Sequence, residues 1–266
     1  VIAEAAPQAP EESALPAPST DFPPVDPDAY EVVGDAAALA PWLAEIRDRG
    51  VVAFDTETTG LNEMSCELVG ISLATRPGRA CYIPLCHRAE GGEGLFADGA
   101  LAEGQMPLED CLAALKPLLE DEAILKIAQN AKYDVKVLAR YGIDVGPLDD
   151  TMLMSYAMNA GLHGHGMDTL AERYLSHQCI PIKDLIGSGR SQVTFDFVPV
   201  DKAAIYAAED ADVTFRLWRT FRPQLHRRQV TTVYETLERP LVPVLARMER
   251  AGIRVDRDTL SRIDRK

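Results

Sequence analysis

The spacing of apolar positions changes character along this chain, and the change predicts its elements. Three runs rich in β-branched and aromatic residues, VVAFD (51–55), ELVGISLAT (67–75) and ACYIPL (80–85), read as strands. Arg76-Pro77-Gly78 offers a turn between the last two, and the close spacing makes all three antiparallel neighbours. A shorter strand is expected at Tyr30-Glu31-Val32-Val33, and a crossover strand at AILKIAQN (123–130). Helical periodicity fills the intervals. Asp35 caps a helix through AALAPWLAEIRDRG that Gly50 stops. A second covers 107–120, with Leu108, Cys111, Leu112, Leu115, Leu118 and Leu119 inward, and a third, AKYDVKVLARYG, closes at Gly142.

Beyond 148 the pattern is mostly helical. DDTMLMSYAMNA and MDTLAERYL are helices, and a long one runs from Val200 to Phe221, where Pro223 predicts a break. RPLVPVLARMERAGIRVD is another, with Pro240 in its first turn and Gly252 just beyond its end. The glycine-rich stretch 87–106 reads as a mobile loop, and a second loop carries Gly187-Ser188-Gly189-Arg190 and Phe195. Antiparallel strands, a crossover strand and packed helices define an α/β domain with a mixed sheet.

Composition narrows the setting. Residues 1–29 hold seven prolines and seven alanines with one aromatic, too little apolar surface to offset ordering, so they read as a flexible acidic linker. The chain opens on Val1 and closes on Arg265-Lys266 in mid-pattern, as a piece of a longer protein would. No apolar run suits a bilayer span or a signal peptide. Five cysteines (Cys66, Cys81, Cys86, Cys111, Cys179) without CxxC spacing argue against disulfide frameworks and zinc sites, and for thiols in a reducing cytoplasm.

The net charge of −14 is unevenly divided along the chain. Residues 31–211 hold 28 acids against 14 bases, whereas 212–266 hold 13 bases against 7 acids. An acidic middle suits a site whose own ligands are carboxylates. Arg216, Arg219, Arg222, Arg227 and Arg228 could meet phosphates or form a solvated helix face.

Four acids are placed where chemistry could gather them. Asp55 and Glu57 lie two apart in a strand and share a face; taken alone, DxE is more often a solvated strand end. Asp134 falls in the first turn of its helix. Tyr206 and Asp210 stand four apart on one helix face, while Glu209 and Asp212 are expected to point elsewhere, as caps or toward water. A carboxylate cluster suits hard divalent cations, and two such ions form a phosphodiester-cleaving device. His163-Gly164-His165 reads as a solvated turn, His87 and His177 form no nucleophile–base pair, and no P-loop occurs.

In order and spacing, FDTETTGL, QNAKYD and YAAEDAD resemble the three exonuclease motifs of the DEDD (DnaQ-like) superfamily, and Tyr206 marks the tyrosine subclass. ACYIPL, LKPLLEDE, NAKYDVKVLARYGI, DTMLMSYAMNA, MDTLAERYL and LVPVLARMERAGI are similar to the proofreading domain of the bacterial DNA polymerase I family, over about 31–266. The resemblance implies a ribonuclease-H-like mixed sheet flanked by helices, with a 3′→5′ exonuclease domain at 30–222. Residues 223–266 would then begin a polymerase thumb.

It further implies metal-dependent removal of nucleotides from a 3′ end of single-stranded DNA or a primer terminus. Asp55, Glu57 and Asp210 would hold one ion and Asp55 would bridge to a second supported by Asp134, with Tyr206 and Glu57 orienting the attacking water. The ions would be Mg²⁺ or Mn²⁺, with Zn²⁺ an alternative at one site. Leu61 would wedge between terminal bases, Asn130 would bond near sugar or phosphate, and Phe195 would stack; Gln129 and Arg190 are weaker candidates. Core packing is the alternative account of Leu61 and Phe195. A monomer joined to a polymerase domain, in the bacterial cytoplasm and active at the nucleoid, completes the expectation. The rivals are an RNA-trimming relative resembling ribonuclease D and a module that keeps the fold without the chemistry.

Overall fold

Side-chain alternation along β2 (Val51–Thr58) sorts the core into two layers. Val52 and Phe54 enter a large apolar cluster with Leu39, Trp42 and Ile46 of α1 (Ala36–Arg49) and Cys111 and Leu115 of α2 (Leu108–Leu119). Val51 and Ala53 face the other way, against Ala208 and Ala211 of α7 (Val200–Arg227). The computed structural model describes residues 22–89 and 100–264.

Around β2 stand β1 (Glu31–Val32), β3 (Leu68–Arg76), β4 (Arg79–Pro84), β5 (Leu125–Ala128) and β6 (Leu148–Asp150), in the order β1-β4-β3-β2-β5-β6. β2, β3 and β4 are antiparallel neighbours, as their spacing predicts. β1 joins β4, β5 joins β2 and β6 joins β5, all in parallel. Asp35 caps α1 by accepting from the Ala38 amide at 2.8 Å, and Gly50 ends it at φ 66°. The other helices are α3 (Lys132–Arg140), α4 (Thr151–Asn159), α5 (Met167–Leu175), α6 (Ile182–Ile186), α8 (Thr231–Val233), α9 (Arg239–Ala251) and α10 (Arg257–Asp264). A π turn, Tyr234–Glu238, joins α8 to α9.

Several expectations are corrected. DDTMLMSYAMNA is not one helix: its first two residues belong to β6, and Asp150 caps α4 by accepting from the Met152 amide at 2.8 Å. The loop before Phe195 contains α6. α7 does not break at Pro223. Proline forfeits one helical hydrogen bond, but Phe221 and Leu225 on either side are buried with Tyr174 and Tyr234, and this packing carries the helix to Arg227. Residues 22–29 are not linker-like either: Pro27–Ala29 form a 3₁₀ turn, and Arg216 donates to the Pro23 carbonyl. Residues 1–21 and the tip of the glycine-rich stretch, 90–99, lie outside the described residues; its flanks meet in an Arg88–Leu101 bridge.

Alanine sets how closely α7 approaches the sheet. Ala203, Ala204, Ala207, Ala208 and Ala211 of the helix meet Ala53, Ala74, Ala80, Val69 and Tyr82 across the interface. Small side chains on both surfaces let the helix lie near the strands, and a side chain on α7 can then reach one on β2.

Candidate active site

Residues 51, 53, 55 and 57 share a face of β2, so the parity that buries Ala53 against α7 also aims Asp55 and Glu57 at that helix. Asp210 comes from α7 to meet them. Carboxylate oxygens of Asp55, Glu57 and Asp210 all lie within 4.8 Å of one another. Asp134, in the first turn of α3, borders the group. Its Oδ1 accepts from the Thr56 amide at 3.0 Å and also from the Thr56 hydroxyl, so one oxygen is already engaged. Tyr206, a turn before Asp210, hydrogen-bonds Asp210 and feels the charges of Glu57 and Asp55.

Burial, and then the charge of neighbouring carboxylates, pushes Asp55, Glu57 and Asp134 well above the usual carboxylate range. Burial pushes Asp210 up to about 8, with the Glu209 charge adding to it. The Tyr206 phenol is raised as well, by burial and then by Asp210 and Glu57, so it stays protonated throughout the physiological range. Glu57 Oε1 is buried without a hydrogen-bond partner. A buried orphan oxygen among mutually repelling acids is what a cation would resolve. The donor set is all oxygen, which fits a hard divalent ion.

The cleft over these acids has a volume of about 610 Å³ and is rimmed by Leu61, Asn130, Ile182, Val193 and Tyr206. Leu61 is 93% exposed, so core packing does not account for it. Asn130 sits at φ 59°, a left-handed conformation that asparagine tolerates, and its backbone N–H donates to Asp150 Oδ1 at 3.2 Å. Asp150 accepts four backbone N–H groups, from Asn130, Ala131, Met152 and Leu153, so a single carboxylate orients Asn130 and the starts of α3 and α4.

Other expected residues differ in detail. Phe195 lines the cleft but is only 4% exposed, packed against Tyr206 and His87. The exposed apolar wall there is Ile182 and Val193, which carry no sequence signature. Gln129 spends both ends of its amide inside the protein, donating to the His165 carbonyl at 2.8 Å and accepting from Thr151. The Arg190 side chain lies outside the described residues. His163 and His165 are half-buried, not solvated: His165 meets Ser155 at 2.9 Å and His163 meets Tyr174 at 3.2 Å.

Glu209 and Asp212 do not face water. Asp212 is fully buried and receives Arg216, the Tyr30 hydroxyl at 3.0 Å and the Gly78 amide at 2.8 Å. Arg216 is therefore buried too and has no part in a phosphate-facing surface. Glu209 accepts from the Ile180 amide at 2.7 Å and pairs with His177 at 2.9 Å, with Cys179 nearby. Both its oxygens are used in bracing the segment that leads into Ile182. All five cysteines are free.

Clustered carboxylates on a central strand and a crossing helix, at the floor of an open cleft, are an arrangement suited to metal-assisted phosphodiester cleavage. The chain belongs to the 3′-5′ exonuclease family, whose model matches residues 30–226. It is 53% identical over 249 residues to DNA polymerase I of Rhizobium leguminosarum, covering 90% of this chain and 24% of that one. With DNA polymerase I of Pseudomonas aeruginosa it is 41% identical over 235 residues, covering 87% and 25%. The chain thus spans about a quarter of the length of these relatives.

Structures at low identity share the fold. Brucella melitensis NrnC superposes with a TM-score of 0.61 at 21% identity, covering 84% of this chain and 93% of that one. Pol1 from M. smegmatis, in complex with DNA primer-template and dNTP, gives 0.65 at 21%, covering 88% and 34%. NrnC has also been determined with bound Mg²⁺, and exonuclease domains of this kind use divalent metals. Among the described residues no helix is long and apolar enough to cross a membrane.

Proposed function

We propose that the chain is the editing nuclease of a longer DNA polymerase, releasing nucleoside monophosphates from the 3′ end of single-stranded DNA. The observation that carries this reading is the meeting of Asp55, Glu57 and Asp210 within 4.8 Å beneath a cleft rimmed by a fully presented leucine. Asp55, Glu57 and Asp210 would hold one divalent cation, Mg²⁺ or Mn²⁺, and Asp134 would support a second beside Asp55. Bound there, such ions supply a water that ionises near neutral pH and offset the charge of the phosphodiester.

The side chains do the rest. Tyr206, held protonated, gives its single O–H to Asp210, which leaves the phenol oxygen to accept from an attacking water and so fix its orientation. Leu61 would rest against the terminal base, with Ile182 and Val193 as the opposing apolar wall and Asn130 toward sugar or phosphate. Contacts of this kind with base faces tolerate any sequence. Leu241, Val244, Leu245 and Met248 leave an exposed apolar strip on α9, which the polymerase portion of a parent chain would cover. The setting would be the bacterial cytoplasm.

The test is release of labelled mononucleotide from a 3′-labelled single strand with Mg²⁺ or Mn²⁺, against a chelator control. RNA of equal length forms a parallel arm. Preference for RNA would favour the ribonuclease-D-like reading; no release from either strand would leave a silent module.

A second expectation follows from the raised carboxylates. Unfolded, these acids ionise near pH 4; folded and metal-free, they hold protons to higher pH, Asp210 to about 8. Their contribution to stability is complete below about pH 4 and is lost as pH rises toward 8. Cations replace the protons, so Mn²⁺ at a hundredfold excess over its Kd should raise Tm by about 5–10 °C at pH 8. The rise should be smaller at pH 5.5, where protons compete. Thermal unfolding followed by circular dichroism, with and without EDTA, measures this; equal shifts at the two pH values would count against cation binding by these acids.

A further inference from the structure

The loop between β2 and β3 that presents Leu61 is held from one side, by α3. The Tyr133 hydroxyl donates to the Gly60 carbonyl at 2.8 Å, Lys136 pairs with Glu63, and Arg140 reaches the Cys66 carbonyl and Glu67. Residues 133, 136 and 140 follow the three-and-four spacing of one helix stripe. The loop is therefore pinned at 60, at 63 and at 66–67, and Leu61 projects between the first two pins.

Lys136 differs from the other two pins. It is only 4% exposed, and an ammonium so enclosed requires partners. It has two, on different elements: Glu63 in the loop and Glu249 on α9. Lys132 meets the same Glu249 at 2.5 Å. Beside these charges, Val242 and Ala246 of α9 belong to the same apolar cluster as Val135 of α3. α9 lies beyond residue 226, where the match to the exonuclease family ends.

We infer that Glu249, Lys136 and Glu63 form a positioning relay through which the helix following the nuclease domain sets the Leu61 loop, and with it the grip on the 3′-terminal nucleotide. The inference rests on the reading of Leu61 as a substrate contact, and it gives that contact a regulator: whatever draws α9 away from α3 loosens the grip. None of the three residues touches the carboxylate cluster's own ligands, so the relay acts on binding rather than on the cleavage step. The alternative role for Glu249, mere attachment of α9, would leave the loop unmoved.

The 266-residue chain tests it through Glu249→Gln, which keeps shape and removes the charge. Amides 61–66 are expected to exchange hydrogen faster, although none of them belongs to α9. KM for a single-stranded DNA should rise about threefold to tenfold, with kcat within about twofold. Leu61→Ala should raise KM alike, and the double variant should be no worse than Leu61→Ala alone. Lys136→Met should reproduce the Glu249→Gln effects, and Lys136→Arg should retain the loop's protection. Unchanged exchange at 61–66 in Glu249→Gln overturns the relay, whatever the activity. A KM rise that adds fully to that of Leu61→Ala overturns it too. Loss of the substrate reading itself would appear instead as a wild-type chain that releases no nucleotide.

Discussion

Asp210→Ala is expected to lower nucleotide release by about a thousandfold or more while the protein remains folded. A cation's contribution to a charged transition state is worth several kcal/mol, and each 1.4 kcal/mol is tenfold in rate. Asp210 is one of three carboxylates that would share that ion, and its removal would leave two ligands, Asp55 and Glu57. The folded state should not suffer. Asp210 is buried with its ionisation pushed up to about 8, so the native protein bears a cost for keeping it. Removing it relieves burial and repulsion together, and the metal-free variant should melt at the same temperature as the parent or higher. Single-turnover release from a labelled strand, paired with thermal unfolding, checks both halves. Activity within tenfold of the parent would remove Asp210 from the mechanism.

The largest loss of stability is expected at a different aspartate. Asp149 in β6 is fully buried and accepts from Trp218 at 2.8 Å, Arg222 at 2.8 Å, the Tyr234 hydroxyl at 3.0 Å and Arg239 at 3.2 Å. These partners come from α7, the π turn and the start of α9, so one carboxylate joins an edge strand to three helical segments. Removing one member of a buried ion pair costs about 3–5 kcal/mol. Arg222 and Arg239 are part-exposed and can turn to water, which sets Asp149→Ala at the lower end, about 3 kcal/mol. Asp149→Asn keeps two acceptor directions on its oxygen and should lose about half as much. Urea unfolding would read the difference as a shift in midpoint at constant slope. A change below about 1 kcal/mol for the alanine variant would mean that the arginines and Tyr234 find equivalent partners elsewhere.

How far the site could be foreseen depended on how local its determinants are. Asp55 and Glu57 were legible because strand parity needs only the strand, and Tyr206 and Asp210 because helix spacing needs only the helix. Glu209 and Asp212 were misjudged for the opposite reason. An amphipathic helix has one wet face, but residues 207–217 of α7 are buried all round, between the sheet and helices α4 and α5. Apart from Arg216, one turn along from Asp212, the groups that satisfy the two charges lie at Tyr30, Gly78, His177 and Ile180, on other segments of the chain. β6 is hidden in the sequence because three residues with two acids resemble a helix start, and contacts from part-exposed Arg222 and buried Tyr234 make such a strand tolerable. Ile182 and Val193 were unmarked because an apolar loop residue looks the same whether it will meet a base or a core.

The unbroken course of α7 past Pro223 has a practical consequence for anyone transplanting this nuclease onto another enzyme. The sequence invites a cut at 222, which would sever a helix whose upstream half supplies Asp210 and whose downstream half buries Gln224 and Leu225. A graft that respects the helix would end at 228–230, where α7 has closed and Gln229 adopts φ 59°. Even there, the excised cassette would leave behind Tyr234 and Arg239, half of the partners that steady Asp149, and would arrive in its new host already loosened.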